Sequence, residues 1–351
     1  MTPSKRNPPL PRTPADRLQL ARKPSSVDAD PKLYENRAII LKTSQDSSQS
    51  TVLYLAYGSN LSVETFRGKR GIEPLSQVNV CVPELKLTFD LAGIPYIEPC
   101  FSSTHYRTND STDTPDKLYY GGSDDKKDNG EKASFLLDPE SALLYGQKDY
   151  HKDRWHKPLV GVVYEVTLED YAHIIATEGG GSGYEDVVVS CFPFPKDYNP
   201  NDPTPDVPQT ESFMAHTLIS PPNPENKGAK KSHLIRPIPS YAQPSARYLK
   251  LIMDGADELD FPHDYRAYLA SIRPYRATTL GQKVGQKIFL TIWLPLVMLL
   301  LALAQLFADD EGITPDWLAK AQVQLHETIW TSYDVFFCKR FGDGERTIGD
   351  D

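Results

Sequence analysis

Methionine is scarce in this 351-residue chain, with four residues against thirty prolines, and apolar residues make up only 39% of it. With a mean hydropathy of −0.46, that excludes a single core running the whole length, and part of the chain reads as loop or tail. Cysteine is equally sparse. Cys81, Cys100, Cys191 and Cys338 stand far apart, with no C-x-x-C spacing. This argues against a disulfide framework or a zinc site and in favour of a reducing compartment. An excess of cations is missing too: the net charge is −9. No nucleic-acid partner is expected, because phosphate binding needs clustered Lys and Arg. The N-terminus lacks an apolar h-region and does not read as a secretory signal. It carries Arg6, Arg12, Arg17, Arg22 and Lys23, but seven prolines in the first 31 residues break any amphipathic transit helix. Residues 1–50 are therefore expected to be a disordered basic tail.

What is present begins at Thr51-Val-Leu-Tyr-Leu-Ala-Tyr57, a strand-like apolar run ended by Gly58-Ser59-Asn60. Glu84 to Leu91 alternates strictly, with Leu85, Leu87, Phe89 and Leu91 on one face, as a half-buried strand does. A hydrophilic insertion is expected near 103–132. Leu159 to Val166 reads as a buried strand leading into a short helix, Leu168 to Glu178, which the glycine-rich 179–183 stops. Strands are expected at 187–192 and 214–219, with a second hydrophilic insertion near 195–232. Two helices follow, the first closed by Gly255 and the second opened by Pro262. The pattern is α+β, with mainly antiparallel strands, no repeated βαβ unit and no internal repeat. Ile288 to Ala308 carries no charge and would span about 30 Å, the thickness of a bilayer's hydrocarbon core. Arg273, Arg276, Lys283 and Lys287 precede it, while Asp309, Asp310 and Glu311 follow. That bias predicts a single transmembrane helix with residues 51–280 in the cytosol and residues 309–351 beyond the membrane.

Three positions could carry chemistry. The strand-to-turn junction at Tyr57 to Asn60 aims backbone N–H groups outward, a geometry suited to a carboxylate or an oxyanion. An ordinary β-turn has the same composition. Glu178 lies on the apolar stripe of Leu168, Tyr171, Ile174 and Ile175, in the last turn of its helix. Burial and the helix dipole both oppose its charged form, which predicts a raised pKa. A frayed, solvated end is the bland alternative, but the glycine run beside it permits close approach of a small ligand. Tyr248, beside Leu249 and Leu251, reads as a core aromatic. His151 and His156 lack partners at ligand spacing, so no metal is expected. The glycine run is followed by a strand rather than G-K-[ST] and a helix, so it is no phosphate loop.

These pieces together resemble the γ-glutamylcyclotransferase family. The resemblance rests on Tyr54-Leu-Ala-Tyr-Gly-Ser-Asn-Leu61, Glu84-Leu-Lys-Leu-Thr-Phe89, Gly161-Val-Val-Tyr-Glu-Val166, Glu178-Gly with Ser182-Gly-Tyr184, Pro244-Ser-Ala-Arg-Tyr-Leu-Lys250, Gly255-Ala256 and Ile272-Arg-Pro-Tyr275. It covers roughly residues 51–275. It implies a mixed, mainly antiparallel β-barrel with flanking helices and a cavity at the Tyr57–Asn60 loop, which holds the glutamyl moiety. It further implies that Glu178 is the acid/base and that Tyr184 and Tyr248 stand near the cavity. The implied reaction is a cyclising lyase step: the substrate's α-amine attacks its own γ-carbonyl, releasing 5-oxoproline and a free amine, without metal or organic cofactor. Substrates would be γ-glutamyl amino acids or peptides, glutathione, or γ-glutamyl conjugates of secondary metabolism. The alternatives are a non-catalytic, membrane-tethered binding protein that keeps the cavity, and a related enzyme for γ-glutamylamine conjugates.

Overall fold

The alternation and β-branched content of the apolar runs produce five strands that close on themselves. In the computed structural model, which describes residues 10–23, 51–107, 155–177, 185–219, 236, 241–307 and 315–349, these are β1 (Thr51–Ala56), β2 (Ser76–Val82), β5 (Leu159–Thr167), β6 (Glu185–Pro193) and β7 (Phe213–Ile219). Around the barrel the order is β1-β5-β2-β6-β7. Every seam is antiparallel except β7 against β1, where Tyr54 faces His216. Closure leaves these strands no open edge. β1 and β5 are buried along almost their whole length, as befits strands covered on both faces. The fold is the expected α+β barrel with flanking helices. None of the four cysteines is joined in a disulfide.

Beside the barrel, β3 (Leu85–Ile94) and β4 (Glu98–Tyr106) form a two-stranded ladder, irregular between Thr88 and Leu91. The first residues of the expected 103–132 insertion are thus strand, and the remainder from 108 lies outside the described residues. The second expected insertion, where described, is pinned down. The Asp264 carboxylate accepts from Thr204 N and Oγ1 and from Lys157 Nζ, all within 3.1 Å. Helix α2 (Leu168–Thr177) begins as its sequence predicts, Thr167 Oγ1 accepting from Asp170 N at 3.0 Å. Its Leu168, Tyr171, Ala172 and Ile174 are buried against β1 and β5.

Gly255 does not end its helix. Helix α3 (Ala246–Glu258) runs through it, because α3 crosses the turn after β1 there, and a Cβ would stand 2.6 Å from Leu61 Cβ. The next helix is α4 (His263–Ser271).

Two larger expectations need correcting. Residues 10–23, assigned to a disordered tail, are built onto the barrel. Gln77 N donates to Pro11 O at 2.9 Å, Thr13 N to Gln77 O at 3.0 Å, and Met214 N to Ala21 O at 2.7 Å. Between them the short helix α1 (Ala15–Leu20) holds Arg17 against Glu165 at 3.0 Å. Prolines do not prevent this, since a peripheral segment needs only some of its amides paired.

At the other end, the apolar helix is longer than predicted: α5 runs Leu280–Phe307. The chain then returns as α6 (Asp316–Ser332), a π-helical turn (Tyr333–Phe337) and the short α7 (Cys338–Phe341). Ring contacts fix the antiparallel register, Phe289 against Phe337 at 4.9 Å and Phe307 against Trp317 at 5.9 Å. Residues 342–349 then strap onto the base of α5 and the β3–β4 pair. Tyr96 N donates to Gly344 O, and Tyr96 Oη to Gly342 O, both at 2.7 Å; Gln282 Nε2 donates to Asp343 O at 2.7 Å. Residues 342–349, expected far from the barrel domain, accordingly sit beside it.

Candidate active site

The site is assembled where β1 stops. After Ala56 the chain turns through Gly58 into a 3₁₀ turn, Ser59–Leu61, closed by Leu61 N to Gly58 O at 3.0 Å and Ser62 N to Ser59 O at 3.2 Å. Tyr57 is buried, and its hydroxyl donates to Leu218 O on β7 at 2.5 Å, tying the end of β1 to its parallel neighbour. The Asn60 side chain is turned into the core, Nδ2 donating to Tyr54 Oη at 3.0 Å. Gly58 and Ser59 themselves are half-buried.

Opposite Gly58 stand two hydroxyls. Tyr248 comes from the first turn of α3, whose N-cap Ser245 Oγ accepts from Tyr248 N at 3.0 Å. Buried Glu98 holds the same turn, accepting from Ser245 N at 3.2 Å and Arg247 Nη2 at 2.6 Å. Ser102 reaches in from β4, with 2.7 Å between Ser102 Oγ and Tyr248 Oη and a further bond from Ser102 N to Tyr248 Oη at 3.2 Å. The Phe101 ring meets Tyr248 edge-on at 5.1 Å. A Cβ at Gly58 would stand 3.4 Å from Tyr248 Oη and well inside 3.0 Å of Ser102 Oγ. Glycine at 58 therefore leaves room for the Ser102 hydroxyl to close on the turn. Tyr248 is not only a core aromatic, since its polar end stands at the turn. Ser102 was not singled out from sequence, because a serine in an alternating strand carries no local signal.

Helix α2 packs against β1 and β5. Its Tyr171 ring lies 6.0 Å from Tyr54, which bonds Asn60, and 5.5 Å from His216. Buried His216 pairs through Nδ1 with Asp186 at 3.2 Å, a second pair with no sequence signature. Burial raises the Asp170 carboxyl of the same helix above its usual range. Glu178 and Tyr184 lie outside the described residues; Glu178 follows directly on Thr177, the last residue of α2. Among the described residues, no group of three His, Cys, Asp or Glu side chains is placed to hold a metal ion.

The chain is similar to known proteins over most of its length. The chain is 30% identical over 295 residues to the γ-glutamyl cyclotransferase gliK of Aspergillus fumigatus, covering 84% of this chain and 89% of the relative. The chain belongs to the γ-glutamyl cyclotransferase family. As a cyclotransferase it is an enzyme by class, and a second relative, γ-glutamyl cyclotransferase aclK of Aspergillus oryzae, is 29% identical over 304 residues, 84% of this chain and 90% of the relative. Residues 279–339, the apolar helix and its return, match the family model described as the AclK C-terminal domain. Among solved structures, one titled γ-glutamyl cyclotransferase aligns with a TM-score of 0.38 at 16% identity, over 68% of this chain and 99% of that one. A yeast γ-glutamyl cyclotransferase described as specific to glutathione aligns with a TM-score of 0.33 at 12% identity, over 64% and 96%.

Proposed function

We propose that this cyclotransferase converts a γ-glutamyl compound to 5-oxoproline and a free amine, with Glu178 moving the proton. The observation that carries the reading is convergence. The tight turn at Gly58 to Asn60 meets the Ser102–Tyr248 hydroxyl pair at the carboxyl end of β1, and α2, which Glu178 follows in sequence, packs on the same strand through Tyr171 and Tyr54. In the proposed step, Glu178 takes a proton from the substrate's α-ammonium group. The amine nitrogen then adds to the γ-carbonyl carbon, closing the five-membered ring. Glu178 returns its proton to the leaving nitrogen as the bond from that carbon breaks, and the ring nitrogen sheds its second proton through the same carboxylate to the released amine, which departs as an ammonium group. Atoms balance without water, metal or redox partner. Nucleophile and electrophile are already tethered, so the site need only hold a near-attack geometry. Backbone N–H groups at Gly58 to Asn60 are assigned to the α-carboxylate or the tetrahedral oxyanion, and Tyr184 and Tyr248 to the wall around the glutamyl group.

The substrate class we favour is a γ-glutamyl conjugate of fungal secondary metabolism, by kinship with the Aspergillus relatives; glutathione and simple γ-glutamyl amino acids are the other members of the series. We further propose that α5 brings the enzyme to a membrane with the barrel domain on its cytosolic face. Its apolar segment is long enough to cross a bilayer, and cations gather at its start. The deciding experiment is to incubate the purified chain with γ-glutamyl dipeptides, γ-glutamyl amines, glutathione and larger S-conjugates of glutathione, and to quantify 5-oxoproline. Release from one class assigns the substrate. Tight binding without 5-oxoproline would make the protein a binding module instead.

A further inference from the structure

Helix α5 passes as a membrane helix by composition, yet its surroundings do not fit a simple span. It is no core helix: only 6% of its most apolar window, within Leu280–Ala304 and of mean hydropathy 2.3, is buried. Nor does it stand alone, because α6 lies antiparallel along one side of it. The pair is two-faced. Away from α6, α5 exposes Ile292, Leu296, Met298, Leu299, Leu301 and Leu306. Between its ends α6 exposes Lys320, Gln324, Thr328 and Thr331, and only Trp317, in its first turn beside Phe307, adds an exposed ring to that face. The chain leaves from the barrel domain and returns to it, with Gln282 and Asp343 bonded to each other at the base. Crossing would therefore carry two helices through the bilayer, together with the half-buried Glu327 and the exposed Lys320, and would place Asp309, Asp310 and Glu311 beyond it. A slab with one apolar and one polar face has a better position, flat in the interface.

We infer that α5 and α6 form a monotopic hairpin lying in one leaflet, α5 toward the acyl chains and α6 toward water, with base and tip on the same side as the barrel. This deepens, and rests on, the membrane location proposed above. The surface it fits is anionic. Lys283 and Lys287 are exposed one turn apart, and their stripe continues at helical spacing into Leu294 and Met298. Lys339 and Arg340 are exposed at the returning end of the hairpin. A chain of net charge −9 thus gathers four cations where its apolar face begins.

The test uses the full chain with Cys338→Ser, which removes its one incompletely buried thiol. Asp310→Cys at the tip and Asp351→Cys at the terminus are introduced separately. In intact microsomes from expressing cells, an impermeant maleimide should treat the two thiols alike, reaching both or neither before lysis. Opposite behaviour would show that the hairpin crosses and would overturn the monotopic assignment while leaving the membrane location standing. In flotation, the purified chain should bind phosphatidylcholine vesicles containing phosphatidylserine more tightly than phosphatidylcholine alone. Lys283→Glu with Lys287→Glu should cut the anionic binding by roughly tenfold. A chain that stays soluble and instead pairs with a second copy through α5, seen by light scattering, would overturn both readings. Release of 5-oxoproline by the same preparations keeps the enzymatic reading separate from either outcome.

Discussion

Placing alanine at Gly58 probes how the turn after β1 is built. The added methyl would stand well inside 3.0 Å of Ser102 Oγ, but 3.4 Å from Tyr248 Oη and 3.6 Å from Ser102 Cβ, both ordinary contacts. Only the serine oxygen is in the way. It can rotate off, forfeiting its 2.7 Å bond to Tyr248, or the turn can shift. Losing the hydroxyl bond costs about 0.5–1.5 kcal/mol and overpacking a tight site about 1–3 kcal/mol. The restricted unfolded chain returns about 0.4–1 kcal/mol. Gly58→Ala should therefore destabilise by about 1–2 kcal/mol in urea unfolding. Ser102→Ala should lose about 1 kcal/mol by itself. The double variant should be no less stable than Ser102→Ala, because the obstructing atom is gone, giving a coupling of about 1–2 kcal/mol. The same cycle read by kcat/KM for 5-oxoproline release should show Gly58→Ala impaired and partly restored in the double variant. Strict additivity in the stability cycle would refute the claim that glycine at 58 leaves room for the Ser102 hydroxyl.

Other substitutions test the joints around the site. Tyr57→Phe leaves the buried Leu218 carbonyl without its hydroxyl donor and should cost about 1–3 kcal/mol, read from the urea midpoint at unchanged m-value. Trp330→Ala removes a fully buried ring that donates to Gly93 O at 3.0 Å and stacks under Arg236 at 4.2 Å. It should cost about 3–5 kcal/mol of docking and expose the C-terminal helices to limited proteolysis while the barrel resists. The strap should also respond to pH. Burial raises Glu345 to about 7, against the pull of Arg236, and buried Asp343 is raised as well. Asp334 and Glu345 share one guanidinium while the neighbouring Asp343 charge opposes ionisation of Glu345, so the folded form retains a proton that the unfolded chain gives up. That contribution is complete below the ordinary carboxylate range and declines as pH rises through about 7. Amide protection at 343–347, corrected for intrinsic exchange, should be stronger at pH 5.5 than at pH 8; the reverse order would refute the sign.

The parts of the fold that alternate or repeat at helical spacing were legible. β1, β3 and β5 appeared as apolar runs, and α2 began at its Thr167 cap. Non-local compensation was hidden. Gly255 reads as a helix stop, and only the crossing of α3 over Leu61 explains a glycine inside the helix. The prolines of residues 10–23 suggested disorder because their backbone partners, Gln77 and Met214, are distant in sequence. The return of α6 was missed for a related reason. Its polar face resembles that of any solvated helix, and the strap that fixes it depends on Tyr96, Gln243 and Gln282, none of which is distinctive in sequence. At the site, glycine at 58 and tyrosine at 248 drew attention by type, whereas Ser102 became visible only once β4 placed it against both.

Proton transfer in the proposed reaction depends on the Glu178 carboxyl. Wild type and Glu178→Gln, matched in thermal melting, should be compared for 5-oxoproline release from whichever γ-glutamyl substrate the panel selects. Loss of a proton carrier predicts a fall in kcat of at least about 10²-fold, with KM little changed. A glutamine variant that turns over at the wild-type rate would contradict the proposed mechanism.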